Sequence, residues 1–189
     1  MTEHWDILDA LGNPTGRTHP RGTPTQPGEY MCIVHVWKHN GRGQWLIDKR
    51  APRGNALDHM WETTGGCILT GETSAQAALR ETYEELGLTL DPAKGQFFRR
   101  VAHHGNKTGW EYTTGRDYFI DVYVFEHDCP LSDITFQEGE TTEARWTTAN
   151  EIRAMQDQGT FLREGRQGDF YPYFDDMVAQ FTPDIQAQL

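Results

Sequence analysis

Three glutamates in one short segment are the feature of this sequence with the clearest chemical meaning. Glu81, Glu84 and Glu85 are spaced so that a helix would place them on one face. Like charges at this spacing repel, so the cluster costs stability when no cation lies between its members. Mg²⁺ prefers carboxylate oxygens and keeps waters that phosphate oxygens can replace. The pattern therefore indicates a site for a divalent cation and a phosphorylated ligand; the alternative is a solvated acidic helix face.

The flanking residues predict the helix that positions these glutamates. Thr73 and Gln76 fit a capping box and Gly87 fits a helix stop, which leaves a helix of about thirteen residues between them. Arg80 lies four residues before Glu84, and we interpret it as a clamp that orients a glutamate through a forked hydrogen bond. The predicted apolar stripe of this helix consists of Ala75, Ala78, Leu79, Thr82 and Leu86.

The spacing of a longer stretch resembles the signature of the Nudix hydrolases. That signature is Gly, five residues, Glu, seven residues, Arg-Glu, a hydrophobic residue, any residue, Glu-Glu, any residue, Gly and a hydrophobic residue. At average amino-acid usage, this match arises by chance in under about one in a million chains of this length. Thr82 stands where a larger aliphatic side chain is common, but it still offers a methyl group to the core. The matching positions are Gly66, Glu72, Arg80, Glu81, Glu84, Glu85 and Gly87.

The resemblance implies a fold, an activity and a cofactor. The fold is expected to be α/β, a Nudix α/β/α sandwich with a mixed central β-sheet. The activity is expected to be Mg²⁺-dependent hydrolysis of a diphosphate linkage in a nucleoside diphosphate derivative or a similar small phosphorylated metabolite, with Mn²⁺ as the alternative cofactor. The implied metal ligands are Glu81, Glu84, Glu85 and the carbonyl of Gly66, and the three glutamates and Arg80 are the implied catalytic residues of the motif.

A catalytic base is expected outside the signature. Relatives often carry a functional glutamate just before the strand that corresponds to residues 144–146. Glu138 and Glu140 occupy that place here. We predict Glu140 to be the catalytic base and Glu138 to bind substrate; the alternative for both is an exposed loop acid.

Three further residues are predicted to serve the substrate. Arg50 and Arg53 lie in a loop and could hold a distal phosphate, although exposed loop cations have the same pattern. Glu72 begins the loop that leads into the helix. We expect it to orient Arg80 or this loop rather than to bind metal directly.

Aromatic and histidine side chains give a less specific signal. Trp61, Trp110 and Tyr112 could stack on a base, but large aromatic residues more often belong to the core. His103 and His104 could rim the substrate, although a surface pair is the commoner arrangement.

Composition restricts the partners. The net charge is −11 and no basic patch is visible, which argues against nucleic-acid polymers and anionic membranes as partners. A small phosphorylated substrate remains compatible when a metal supplies positive charge. Cys32, Cys67 and Cys129 lack CxxC spacing and, together with an N-terminus unlike a signal peptide, predict reduced thiols in a cytoplasmic protein. The sequence does not decide whether the protein forms a homodimer.

The remaining segments of the chain predict the fold that holds the motif. Strands that alternate with a few helices are typical of a layered α/β domain. We predict one domain over residues 1–189, with 1–28 as an N-terminal hairpin and linker and 160–189 as a C-terminal helical segment. Predicted strands cover residues 31–37, 44–48, 61–63, 95–101, 117–125 and 143–146, and the later helices cover about 149–158 and 173–181.

The flanks of the motif also resemble a Nudix branch related to isopentenyl diphosphate isomerase. The resemblance extends over roughly residues 4–150 and rests on residues 5–9, 34–37 and 61–66. It raises an isomerase-like enzyme as an alternative. The isomerases use a Cys in the segment before the helix, where this chain has Gly65 and Gly66, and Cys67 is out of register.

Two further observations weigh on the alternatives. The isomerase metal site contains several His, and the His expected near the first core strand is replaced here by Tyr30 and Met31. Isomerases also usually lack the full set of signature glutamates. A third alternative is a non-catalytic nucleotide-sensing module, but such relatives typically lose signature glutamates that this chain keeps.

Overall fold

The central strand of the sheet is β3, and the other strands are arranged around it. The structure is a computed structural model that describes residues 2–23, 25–103, 117–162 and 171–182. In these ranges β3 pairs in parallel with β8 and antiparallel with β1, β4 and β6, while β7 extends the sheet beyond β8 and β9 extends it beyond β4. The strands are β1 His4–Leu8, β2 Pro14–Pro20, β3 Tyr30–His39, β4 Gln44–Arg50, β5 Trp61–Glu62, β6 Thr64–Cys67, β7 Gly95–His103, β8 Asp117–Glu126 and β9 Thr141–Thr148.

Helices cover both faces of this mixed sheet. The α-helices are α1 Ser74–Leu86, α2 Ala149–Asp157 and α3 Phe174–Phe181. Val34 and Val36 of β3 pack against Ala77 and Ala78 of α1. On the other face, the core contains Trp37 with residues of α2 and α3. The expected α/β/α layering around a mixed sheet is therefore confirmed. No helix in the described ranges is long and apolar enough to cross a membrane.

The local signals at the ends of α1 are confirmed. Thr73 and Gln76 form the capping box, and Gly87 adopts a left-handed conformation with φ 67°. The predicted apolar stripe was wrong at one position, because Ala75 is exposed and Ala77 is fully buried. Ala77 and Leu86 lie about half a turn apart around the helix axis, so the buried stripe crosses the helix obliquely instead of following it.

Several strand ends differ from the prediction, and two of the differences concern the site. Gly65 and Gly66 belong to β6, which pairs with β3, whereas the sequence placed them after a strand ending at Thr63. Glycine is depleted in strands, so its local preference concealed this strand. Thr141 and Thr142 begin β9, whereas the sequence placed them in the preceding acidic loop.

The N-terminal hairpin packs into the main body. Leu8 pairs with Tyr30 of β3, and the side chains of Trp5 and Ile7 are buried. These contacts place the hairpin beside the loop that precedes α1, where Thr70 N donates to His4 O at 2.9 Å. The hairpin therefore lies beside the Nudix-like motif.

Candidate functional site

Arg80 gathers three glutamates of the motif. Its Nε and Nη2 donate to the two carboxylate oxygens of Glu72 at 2.8 and 2.9 Å, which is the forked geometry expected from the sequence. Its Nη1 donates to Glu81 Oε1 at 2.8 Å and to Glu84 Oε2 at 2.9 Å. Nη2 also reaches the carbonyl oxygen of Cys67 at 2.9 Å. One guanidinium thus links the helix face to the strand and loop before it.

Glu72 holds this arrangement from the loop side. Its Oε2 accepts from the backbone N of Leu69 at 3.1 Å as well as from Arg80. Burial tends to raise the pKa of Glu72, but these hydrogen bonds outweigh burial and lower it. The hydrogen bond to Glu72 also raises the pKa of Arg80. Glu72 is therefore an ionised partner of Arg80, in keeping with the expectation that it orients the clamp.

Gly66 brings the backbone of β6 against Glu81. A Cβ at Gly66 would overlap the Glu81 carboxylate, and a Cβ at Gly65 would lie 2.6 Å from the carbonyl oxygen of Val34. Any side chain at Gly66 would thus occupy the space of the Glu81 carboxylate. The close approach brings the backbone of Gly66 next to the carboxylate of Glu81.

The remaining carboxylates of the motif are crowded. Burial raises the pKa of Glu81. Burial also raises the pKa of Glu85 well above its ordinary value, and the charges of Asp48, Glu62 and Glu81 add to the rise. Burial thus outweighs the positive charge of Arg80 at Glu81 and that of Lys38 at Glu85.

The donor set fits a hard divalent cation. In the described ranges, no three His, Cys, Asp or Glu side chains already converge as metal ligands, and Arg80 is bonded to both Glu81 and Glu84. The donors are nevertheless carboxylate oxygens, and a nearby cation would reverse the raised pKa values of Glu81 and Glu85.

A buried charged network that the sequence analysis did not predict lies on the same face of the sheet. Lys38 Nζ donates to Thr64 Oγ1 at 2.5 Å and to Val36 O at 3.1 Å, and Thr64 Oγ1 donates to Asp48 Oδ2 at 2.6 Å. Lys38 and Asp48 are 0% and 1% exposed. Burial lowers the pKa of Lys38 to about 8 and raises that of Asp48. The positive charge of Lys38 acts on Glu85 in the direction that lowers its pKa.

One sequence signal could have found this network. Lys38 is in phase with Val34 and Val36, whose side chains face α1, because alternate residues of a strand share a face. The same alternation places Glu62, Thr64 and Gly66 in phase along β5 and β6.

Arg50 contacts Glu62. No role was predicted for Glu62 from the sequence. Arg50 Nη1 donates to both carboxylate oxygens of Glu62 at 2.8 and 2.9 Å. Burial opposes the charged form, but the charges of Glu62, Glu85 and Asp48 raise the pKa of Arg50. Arg50 is thus electrostatically coupled to the motif through Glu85.

Arg53 and Glu140 form an ion pair beside this region. Arg53 Nε also donates to Gly139 O at 2.9 Å, and Ala51 N donates to Glu140 O at 2.8 Å. The structure therefore joins the Arg50–Arg53 loop to the loop of the predicted base. Glu138 is exposed and has no ion pair with any described residue.

The loop of the predicted base is attached to the end of α1. Thr135 N donates to Leu86 O at 2.9 Å, and Gln137 N donates to Glu85 O at 3.2 Å. These bonds hold residues 135–140 next to the last motif glutamate, which keeps Glu138 and Glu140 as candidates for the base.

The less specific candidates have ordinary contacts where the structure describes them. Trp61 lies under Arg145 Cζ at 4.6 Å and Lys49 Nζ at 5.4 Å from its ring centroid. His103 stacks on Tyr118 with ring centroids 4.2 Å apart. His104, Trp110 and Tyr112 lie outside the described residues.

Comparison with known proteins identifies relatives over most of the chain. The NUDIX domain family model matches residues 30–165. An uncharacterized Nudix hydrolase from Listeria monocytogenes is 35% identical over 161 residues, which are 85% of this chain and 88% of that protein. An isopentenyl-diphosphate Delta-isomerase from Escherichia coli is 32% identical over 93 residues, which are 49% of this chain and 51% of that protein.

Solved structures share the architecture. A Deinococcus radiodurans protein matches with a TM-score of 0.64 and 18% identity, covering 95% of this chain and 99% of that one. The NUDIX domain of Shewanella oneidensis NrtR, solved with ADP-ribose, matches with a TM-score of 0.56 and 13% identity over 88% of this chain and 93% of that one. At these identities the likeness concerns the fold alone.

Proposed function

This chain belongs to the Nudix hydrolase family, enzymes that act on phosphorylated compounds, and from that premise we propose that it cleaves a diphosphate linkage in a nucleoside diphosphate derivative or a similar small metabolite. The observation that carries the proposal is the assembly of Arg80 with Glu72, Glu81 and Glu84 against the backbone of Gly66. A plain solvated acidic face would not need this convergence of one arginine, three carboxylates and a glycine.

We assign the cofactor site to four motif residues. Glu81, Glu84, Glu85 and the carbonyl of Gly66 would hold Mg²⁺, with Mn²⁺ as the alternative. Such an ion, when bound, neutralises diphosphate charge and stabilises the charge that grows in the transition state. Arg80 keeps two of these carboxylates oriented through its hydrogen bonds, and Glu72 keeps Arg80 in place.

The hydrolytic step needs a proton acceptor. A water oxygen attacks phosphorus, the bridging P–O bond breaks, and the water proton must pass to a base. We assign this role to Glu140, with Glu138 as the alternative in the same loop. The backbone bond from Gln137 to Glu85 supports the assignment, because it holds this loop against the motif. Arg50 and Arg53 are assigned to substrate phosphate.

ADP-ribose is the first substrate to test. The NUDIX domain of NrtR was solved with this nucleoside diphosphate derivative, and it shares the fold of this chain. Isopentenyl diphosphate belongs in the same panel because the isomerase relative is 32% identical over part of the chain.

The partners and compartment that we propose follow from charge and cysteine content. The net charge of −11 disfavours nucleic-acid polymers and anionic membranes as partners. In the described part of the chain, Cys32, Cys67 and Cys129 form no disulfide bond, which supports a reducing compartment such as the cytoplasm. Light scattering on the purified protein would decide whether it forms a homodimer.

The test compares the wild type with Glu85→Gln on the substrate panel, with Mg²⁺ present. We expect the substitution to lower turnover by at least ~100-fold, the scale of losing one key electrostatic group. The fold should stay intact, because the pKa of Glu85 is already raised and Gln resembles the protonated side chain. EDTA should abolish activity, and added Mg²⁺ should restore it.

The control and the rival outcomes complete this test. Glu143→Gln removes the same charge from an exposed glutamate that pairs with Lys49, and it should leave turnover unchanged. An isomerised but uncleaved prenyl diphosphate would favour the isomerase. Tight binding without turnover of any compound would favour the sensing module. Activity that survives both Glu85→Gln and EDTA would contradict the metal site.

A further inference from the structure

We propose that Arg21, just after β2 in the N-terminal hairpin, contacts a phosphate group of the substrate and so makes the hairpin part of the substrate site. The inference rests on the proposed function, because it requires a diphosphate bound beside the motif glutamates. It adds a positive charge from a segment outside both the signature and the Arg50–Arg53 loop.

The hairpin is attached to the loop that leads into α1. Thr70 N donates to His4 O at 2.9 Å, and Gly71 N donates to Asp6 Oδ2 at 3.3 Å. Arg21 follows directly after β2, and its backbone N donates to Glu3 O at 2.8 Å. This bond fixes the backbone of Arg21 on a hairpin that already contacts the motif loop.

A smaller electrostatic effect from the motif also reaches Arg21. The hydrogen bond to Glu3 raises the pKa of Arg21 against the opposing effect of burial, and the charges of Cys67 and Glu81 add to the rise. Cys67 belongs to the same strand as Gly66, and its carbonyl oxygen accepts from Arg80. His4 pairs with Pro20, the residue before Arg21, and His4 O accepts from Thr70 N, so the end of the hairpin that carries Arg21 lies beside the motif loop.

Arg21 is also less committed to internal partners than the arginines around it. Arg50, Arg53 and Arg80 have side chains that are 22%, 29% and 24% exposed, and each is bonded to at least one carboxylate of the site. The Arg21 side chain is 55% exposed, and within the described ranges its guanidinium bonds only to Glu3, which is 45% exposed.

An exposed ion pair of this kind exchanges readily. Surface pairs contribute little stability, because water and salt screen them. Phosphate offers the guanidinium a bidentate partner with more charge than a single carboxylate. We infer that Arg21 leaves Glu3 when the substrate phosphate is bound.

The experiment compares Arg21→Ala with Arg17→Ala. Arg17 is a matched control, because it lies on the same hairpin, is 60% exposed and has an ion pair with Glu29. For Arg21→Ala we expect the KM of the hydrolysed substrate and the inhibition constant of inorganic pyrophosphate, measured with Mg²⁺, to rise roughly tenfold, as for loss of a charged hydrogen bond. The kcat should change less than the KM. Arg17→Ala should leave both constants near the wild-type values.

A second variant tests the opposite sign. Glu3→Gln removes the carboxylate that competes for Arg21, so the inhibition constant of pyrophosphate should fall. Thermal melting of all three variants checks the fold. If both Arg21→Ala and Arg17→Ala are active and have the same KM and the same inhibition constant, the role of Arg21 is overturned. The proposed function is not affected by that result. A wild type that neither hydrolyses a diphosphate nor binds pyrophosphate would overturn the proposed function and this inference together.

Discussion

The two faces of β3 bury polar groups in opposite ways. On the α1 face, Lys38 is joined through Thr64 to Asp48 of β4, so the buried groups are ionisable. On the other face, Trp37 Nε1 lies 3.1 Å and His35 Nδ1 lies 2.7 Å from the hydroxyl oxygen of Tyr173. Both sets are almost completely buried, but one is built on charge and the other on aromatic rings.

This difference follows from what each face must do. On the aromatic face, the Tyr173 hydroxyl gives the ring nitrogens of His35 and Trp37 a hydrogen-bond partner without a carboxylate, an arrangement that costs little and stabilises the core. The α1 face carries carboxylates whose pKa values are raised by burial and by one another, which lowers stability. We infer that the aromatic face supplies stability, while the α1 face gives up stability to keep a site for a cation.

The largest expected effect comes from breaking the buried charged network. Asp48→Asn should lower the free energy of unfolding by about 3–5 kcal/mol, because it leaves the Lys38 ammonium buried without its negative partner. Urea denaturation followed by tryptophan fluorescence would measure the change. In the double variant with Lys38→Met, most of the loss should return, since neither partner is then charged. A single variant as stable as the wild type would contradict the role of the pair.

The next effect concerns the Arg80 clamp. Arg80→Lys keeps the charge but loses the fork, so we expect kcat/KM to fall about 10- to 100-fold, the equivalent of about 1.5–3 kcal/mol. Steady-state kinetics would test this with Arg42→Lys as control. Arg42 makes a similar two-pronged contact with Asp128 at the exposed surface and should tolerate lysine. Equal kinetics for the two variants would remove the special role of the Arg80 fork.

The aromatic face should respond in stability alone. Tyr173→Phe removes the hydroxyl that contacts both His35 and Trp37, so it should lower the free energy of unfolding by about 1–3 kcal/mol. The activity of the folded fraction should stay at the wild-type level. A fall in kcat without a fall in stability would show that this face also takes part in the chemistry.

The smallest expected effect is a change in the free energy of unfolding with pH. Burial lowers the pKa of Lys38 from the ordinary lysine value of 10.5 to about 8 in the folded chain. Between these values the unfolded chain binds more protons, so stability should rise with pH, by up to about 1.4 kcal/mol per pH unit. Below pH 8 both states are protonated and the gain is absent. Urea denaturation at several pH values should show a steeper rise in the wild type than in Lys38→Met.

Most of the architecture was predictable from local signals. The caps of α1, the hairpin turn and the alternation of β8 gave elements close to those observed. The misplaced strand β6 has a physical reason, because Gly65 and Gly66 are required by close contacts with distant parts of the chain. A local propensity cannot report a contact that forms only after folding.

The site was predictable only along the motif. The forked contact of Arg80 with a glutamate was predicted, but spacing paired Arg80 with Glu84, whereas the fork forms with Glu72. Lys38 was missed because a lysine in a strand normally indicates an exposed position. Arg21 was missed because its neighbourhood depends on how the hairpin docks, which no spacing in the sequence encodes.

The attachment of the loop at residues 135–140 has an evolutionary consequence. Its bonds to Glu85 and Leu86 of α1 come from the main-chain N–H groups of Gln137 and Thr135, which every residue except proline possesses. Side chains such as Glu138 and Phe136 can therefore mutate while the loop keeps its place. A lineage carrying this fold can change what the loop presents to a substrate through single codon changes, without rebuilding the helix that holds the chemistry.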